Sequence, residues 1–361
     1  MSPISVPIEI LFWVAIGLFS LSILAILYTL GYRLLDERRE RAAAPQVEQA
    51  RKHMLTAMAL GPEEVEPLRL PSDRRVARSI VLSACRIINT VTGEGRDNLR
   101  EYLVRSRFPE WGQERLRSRR PFARAIACEL LGSMRVEEAA ARIRALITDP
   151  DADVRQAAVR AVGRLEDAAA APTLLASLHR RNGNSPVVVA TALLAIGPEG
   201  ELALAAALQD RDAITRRVAA QVIGLLNLFD ARDALVAALS KENDPWTKVQ
   251  LIRALGRVGG QDVRAPLHMC LAEGPMVRAA AVRALASLDD SQVLEYLRQE
   301  LSDPSPSVCR ATAESLAAAG PAGRATLRDL PPGSSAEAYA REALARIPSQ
   351  RGPDSGGESL S

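Results

Sequence analysis

Over roughly two-thirds of the chain, apolar and polar residues follow a helical period, in short runs separated by turns rich in Asp, Pro and Gly. The clearest run is Val154–Gly163, VRQAAVRAVG, which follows Asp149, Pro150, Asp151 and Asp153. FARAIACELLG, VVATALLAIG, TRRVAAQVIG, TKVQLIRALG, VRAAAVRALA and VCRATAESLA repeat its plan. Aligned on the residue that ends each run, they give Gly132, Gly163, Gly197, Gly224, Gly256, Ala286 and Ala317, at spacings of 31, 34, 27, 32, 30 and 31. A period near 30 predicts a solenoid of helix pairs.

Each unit has a simple physical logic. Asp or Pro in DPDAD, DRDA, NDPW and DPSPS caps and starts the second, inner helix. Ala158, Ala161, Ala219, Ala254, Ala281 and Ala284 allow close helix approach, and Leu, Ile and Val fill the layer between repeats. Partner helices such as VEEAAARIRALI and SQVLEYLRQEL lie between the inner ones. No single pair buries its own apolar stripe, so stacking is obligatory.

Asp149-Pro150-Asp151-Ala152-Asp153-Val154-Arg155, followed by Ala158 and Ala161-Val162-Gly163, resembles the HEAT family, in particular its short bacterial, phycobilisome-lyase-type repeats. The resemblance covers about residues 119 to 346 and implies an all-α solenoid. The 183–197 unit departs from it, lacking the Asp and Arg signature.

The N-terminal pattern is different. Ile10 to Leu30 is 21 residues without a charge. As a helix it is about 32 Å long, matching a hydrocarbon core of roughly 30 Å, with Trp13, Tyr28 and Tyr32 placed for the interfaces. A cleaved signal peptide needs a basic residue before a shorter run, and here Glu9 precedes it. Arg33, Arg38, Arg39 and Arg41 follow the span and no Lys or Arg precedes it. The positive-inside rule then sets residues 1–9 outside, 10–32 as a transmembrane helix, and the rest in the cytoplasm at the inner membrane. Residues 33–72 read as a juxtamembrane helix (Gln46 to Leu60) and a linker broken by Gly61, Pro62, Pro67 and Pro71. Asp73 reads as the N-cap of a helix through Thr90, with Asn98 to Ser106 as its antiparallel partner. The expected divisions are thus 73–118 as the N-terminal helical region of the array, 119–347 as the array, and 348–361 as a disordered tail.

Composition changes this picture in two places. The net charge is +3, but residues 33–120 hold 19 basic and 13 acidic side chains, against 27 and 29 in residues 121–361. A near-neutral array argues against non-specific nucleic-acid binding. Cys85, Cys128, Cys270 and Cys309 lie far apart with no CxxC, as expected for buried free thiols.

Cations mark the candidate surfaces. Arg124, Arg155, Arg216, Lys248, Arg278 and Arg310 recur in the second helices as a ladder, which the HEAT resemblance implies pairs with Asp in the turns. Arg160, Arg253 and Arg283 fall further along the helix and, with Trp246, form the expected partner-binding surface. Arg115, Arg117, Arg119 and Arg120 form a basic cluster suited to lipid phosphates or an acidic partner, with Trp111 nearby. For catalysis the pattern offers little. His53, His179 and His268 are isolated, and there is no HExxH, GxGxxG, Walker or GxSxG motif. The expected function is a non-enzymatic, single-pass membrane scaffold without a cofactor, holding a protein partner at the membrane. Resemblance to anchored HEAT proteins of bacteria points to an envelope enzyme such as a glycosyltransferase as that partner. The competing reading is a ligand-handling or enzymatic HEAT protein, either bilin-lyase-like or of the nucleic-acid base-excision type.

Overall fold

The computed structural model describes residues 8–179, 183–288 and 293–346, whose regular secondary structure is helical, with no strand among them. The expected tail 348–361 and most of the expected segment 1–9 lie outside the described residues. The chain divides into two compact units, Met1–Arg117 and Ser118–Ser361.

The first unit is built on α1 (Ile8–Leu60), one unbroken helix of 53 residues. The separate transmembrane and juxtamembrane helices expected from the sequence are therefore continuous. The intervening Glu, Arg and Ala are good helix formers, and Pro45 is accommodated within the helix. Gly61, at φ 107°, ends it, and an extended stretch leads to α2 (Arg74–Thr90). Asp73 caps α2 by accepting from the Arg75 N–H at 2.7 Å. The helices α3 (Glu94–Arg105) and α4 (Phe108–Leu116) follow. Ala50, Met54 and Ala57, spaced i, i+4, i+7 on α1, are fully buried with Ile80, Val81, Leu99, Tyr102 and Phe108. The Pro67 stretch is held down by Leu68 N–H donating to Ser106 Oγ at 2.9 Å and Tyr102 OH donating to Glu66 O at 3.3 Å. The helices that the sequence pattern joins to the array thus form a unit with α1.

The second unit is the solenoid. Its inner helices are α5 (Pro121–Ser133), then, after α6 (Ala140–Ala145), α7 (Ala152–Arg164). Beyond α8 (Ala171–Ala176) comes α9 (Pro186–Ile196), and beyond α10 (Glu201–Ala207) comes α11 (Ala213–Leu226). The short partners α12 (Arg232–Lys241) and α14 (Arg264–Met269) bracket α13 (Pro245–Val258) and precede α15 (Pro275–Ala286). The array ends with α16 (Val293–Glu300), α17 (Pro306–Ala318), α18 (Gly320–Arg328) and α19 (Glu337–Ala345). Inner helices pack directly on one another, whereas the partner helices meet each other far less. Asp151, Asp212 and Asp244 cap α7, α11 and α13 through side-chain bonds to backbone N–H groups. Ala340 and Ala343 of α19 close the core over Leu316 and Leu327.

Close approach has an atomic cause. A Cβ on Gly132, Gly163, Gly224 or Gly256 would lie 2.7 to 3.0 Å from the Cα of Ala161, Ala192, Ala254 or Ala284, respectively. Only a hydrogen fits between these backbones. Gly197 does not belong to this series: it has φ +83° and ends α9 as a turn glycine. Gly163 faces Ala192, so the residue of α9 equivalent to Gly163 is Leu194, and the irregular spacings of 34 and 27 become 31 and 30.

Pro186–Ala207 is long and apolar enough to cross a membrane, with mean hydropathy 1.6. It is, however, two helices turned at Gly197 and packed into the array.

Candidate functional site

The ladder cations are clasps between repeats. Arg124 grips Asp149 with two bonds of 2.9 and 2.8 Å, Arg216 grips Glu242 at 2.7 and 2.9 Å, and Arg278 lies 2.7 Å from Asp303. Lys248 reaches Glu273 at 2.6 Å. In each case the carboxylate sits in the following inter-repeat turn. The arginines also donate backwards, from Nη1 to the carbonyls of Ser118, Asp149, Asp210 and Glu273 for Arg124, Arg155, Arg216 and Arg278. Asp149, Glu242 and Asp303 additionally accept backbone N–H bonds at the start of the next inner helix. One carboxylate therefore caps a turn and ties two repeats together.

Burial alone would raise the carboxyls of Asp149 and Glu242, but hydrogen bonds from Arg124 and Arg216 and from backbone N–H groups hold both below the usual carboxylate range. Most of this network is buried, with side-chain exposure of 12% for Arg124 and 5% for Asp149. These cations are structural.

Arg310 is not a rung. Eight residues before Ala317, the position that Arg278 holds before Ala286, stands Cys309. Its thiol donates to Asp303 O at 2.9 Å, where the other rungs place a guanidinium. Arg310 is turned outward, 3.9 Å from Glu342. The ladder is also interrupted around α9, whose corresponding residue is Pro186. There Asp210 is met by His179 Nε2 at 2.9 Å, and Arg155 Nε is buried without a hydrogen-bond partner among the described residues.

A row on the inner helices, exposed except at its two half-buried acids, lies three residues before the packing position. In order it reads Glu129, Arg160, Thr191, Gln221, Arg253, Arg283 and Glu314. Arg160 is exposed but lies 2.5 Å from Glu129, which also meets Arg164 at 2.5 Å. Arg283 lies 3.2 Å from Glu314, which Arg346 also contacts at 3.1 Å. Arg253 is exposed with no ion pair among the described residues, and so is Arg257 one turn on. Trp246, 62% exposed, shares their helix, and Leu225 and Ile214 are exposed on α11. The structure thus keeps Arg253 and Trp246 open, neutralises Arg160 and Arg283, and adds Arg257 and Leu225. A signal for the acids existed: Glu129 stands 31 residues before Arg160 and Glu314 stands 31 after Arg283, one repeat in each case.

The basic cluster is divided by the unit boundary, with Arg115 and Arg117 in the first unit and Arg119 and Arg120 in the second. Arg115 lies 3.7 Å over the Trp111 ring and donates to Trp111 O, which covers one face of the half-buried ring. Burial lowers the Arg115 pKa from its ordinary value.

All four cysteines are buried thiols, none of them in a disulfide. Burial pushes the Cys128 thiol up to about 12 and that of Cys270 up to about 11. His268 stacks near Tyr296 at 4.2 Å, and among the described residues no cluster of His, Cys, Asp and Glu is arranged to hold a metal.

No curated protein matches the chain in sequence. Among solved structures it is similar to the CpcE–CpcF complex of phycocyanin lyase from Nostoc sp. PCC7120, at 22% identity over 65% of this chain and 86% of that one, with a TM-score of 0.31. It is also similar to the karyopherin Kap121p bound to the SUMO protease Ulp1p, at 15% identity over 76% of this chain, with a TM-score of 0.47. The chain spans 37% of that karyopherin's length. Human deoxyhypusine hydroxylase matches at 15% identity over 77% of this chain and 96% of its own, with a TM-score of 0.29. The model of HEAT repeats matches residues 108–197, 201–276 and 272–346, well over half the sequence, and the chain belongs to the HEAT-repeat family.

Proposed function

We propose that this protein is a membrane-anchored HEAT scaffold that binds a protein partner at the cytoplasmic face of the inner membrane. The observation that carries the reading is the two-ended character of α1. At one end Ala50, Met54 and Ala57 are fully buried in a folded unit. At the other, every residue from Leu18 to Leu30 is exposed, and only Ser20, Ser22 and Thr29 among them carry an aliphatic hydroxyl. Ser22 and Thr29 return their hydroxyls to Leu18 O and Ile26 O, satisfying them without water. A helix apolar on all sides has lipid as its natural solvent. The arginines after residue 32 support an array facing the cytoplasm.

In this reading the stacked inner helices present the partner surface, and the anchor raises the partner's effective concentration at the membrane. An envelope enzyme such as a glycosyltransferase fits that arrangement. The array performs no catalytic step of its own, and its raised, buried thiols are poor nucleophiles. Affinity capture of the full-length chain from carbonate-washed membranes, beside a chain lacking residues 1–32, tests the reading. It predicts the full chain in the washed membrane with a reproducible protein partner, and the truncated chain in the soluble fraction. Full-length protein released by carbonate, or repeated capture without a partner, contradicts it.

A further inference from the structure

Near-neutral overall charge conceals a segregation. The four consecutive inner helices α9, α11, α13 and α15 carry seven Arg or Lys and no Asp or Glu. Arg216, Lys248 and Arg278 are occupied by the clasps, Arg217 by Asp244 at 3.0 Å, and Arg283 by Glu314. That leaves Arg253 and Arg257. Trp246, Arg253 and Arg257 stand at i, i+7 and i+11 on α13, one face about 16 Å long. On α11, one repeat back, Ile214, Gln221 and Leu225 occupy the corresponding positions, and they too are exposed. Two free guanidiniums bordered by Trp, Leu and Ile form a surface that is both cationic and apolar.

We infer that this stripe docks an acidic, leucine-bearing segment of the partner protein, with carboxylates on Arg253 and Arg257 and apolar side chains against Trp246 and Leu225. Guanidinium forks bind carboxylates bidentately, and an exposed Trp supplies the anchor typical of an interface centre. The inference rests on the scaffold reading and adds the chemistry of the segment. Nucleic acid suits the surface less, because its affinity grows with the number of phosphates neutralised and this stripe offers only two unpaired cations.

The test is fluorescence anisotropy on the full-length chain in lipid nanodiscs. The probe is a labelled 15-residue amphipathic peptide of Glu and Leu, compared with its Gln-for-Glu counterpart and a 20-nucleotide single-stranded DNA. The acidic peptide is expected to bind, with affinity falling about tenfold or more in the Arg253→Glu, Arg257→Glu double variant and for the Gln peptide. Trp246→Ala is expected to weaken it separately, and circular dichroism to match wild type in each variant. Equal binding by wild type and double variant, no binding of the acidic peptide, or tighter binding of the DNA would overturn the inference. Capture from membranes separates it from the scaffold reading. A partner held equally by both chains overturns the acidic stripe alone, whereas no reproducible partner with wild type overturns both.

Discussion

Gly132 meets Ala161 with no room for a methyl group: a Cβ on the glycine would stand 2.7 Å from both the Cα and the Cβ of the alanine. Both residues are on inner helices, so the contact sets how closely two repeats stack. Gly132→Ala is expected to cost about 1–3 kcal/mol through overpacking. Urea melts of the full-length chain in detergent check this, and an unchanged midpoint would show that the interface yields freely.

Truncating a clasp is expected to cost more than truncating the exposed row. Arg124→Gln leaves Asp149 buried without its partner, a loss of about 3–5 kcal/mol. Arg253→Ala removes an exposed, unpaired cation and should stay within about 0.5 kcal/mol of wild type. Comparable losses in the two variants would contradict the division into structural and surface arginines.

The clasps also set the response to acid. Asp149, Glu129 and Glu242 have depressed folded-state pKa values: burial opposes the shift in each, but arginine partners outweigh it. Their stabilisation is therefore fully present above the ordinary carboxylate pKa of about 4 and is lost as pH falls through the depressed values. Glu300, raised by burial and by Asp303, acts in the opposite sense. Stability is expected to fall below about pH 4, and the gap between wild type and Arg124→Gln to narrow there. A gap constant from pH 7 to 3 in thermal melts would refute the assignment.

Ala158 and Ala281 are fully buried on the inner helices. Ala158→Glu or Ala281→Glu places an unpaired charge in the layer between repeats and should unfold the array locally. Hydrogen exchange would register this as lost protection in the flanking helices; wild-type protection would mean that the buried face is misassigned.

Much of this was legible in the chain. The helix-pair period, the Asp caps of α7, α11 and α13, and the small residues between repeats are local signals that repeat themselves. Gly197 was misleading because a packing glycine and a turn glycine are the same letter; only the uneven spacings on either side of it signalled the slip. Arg310 was displaced from the ladder by one residue, which on a helix is about 100° of rotation. The charge pattern was hidden for another reason. Summing residues 121–361 mixes inner helices with turns and partner helices, and Asp149, Glu242 and Asp303 in the turns offset the inner arginines that they grip. The continuity of α1 through Pro45 was also beyond the local pattern, since proline inside a helix usually reads as a break.

In the proposed arrangement the partner sits on the outward-facing row of the inner helices. Site-specific photocrosslinking in intact membranes tests it most directly, with the crosslinker at Gln221, beside Arg253 on the inner row, or at Arg142, exposed on the partner helix α6. A reproducible protein adduct is expected from position 221, lost when Arg253 and Arg257 are reversed in charge, and none from position 142. An adduct from position 142 alone, or from neither position, would contradict it.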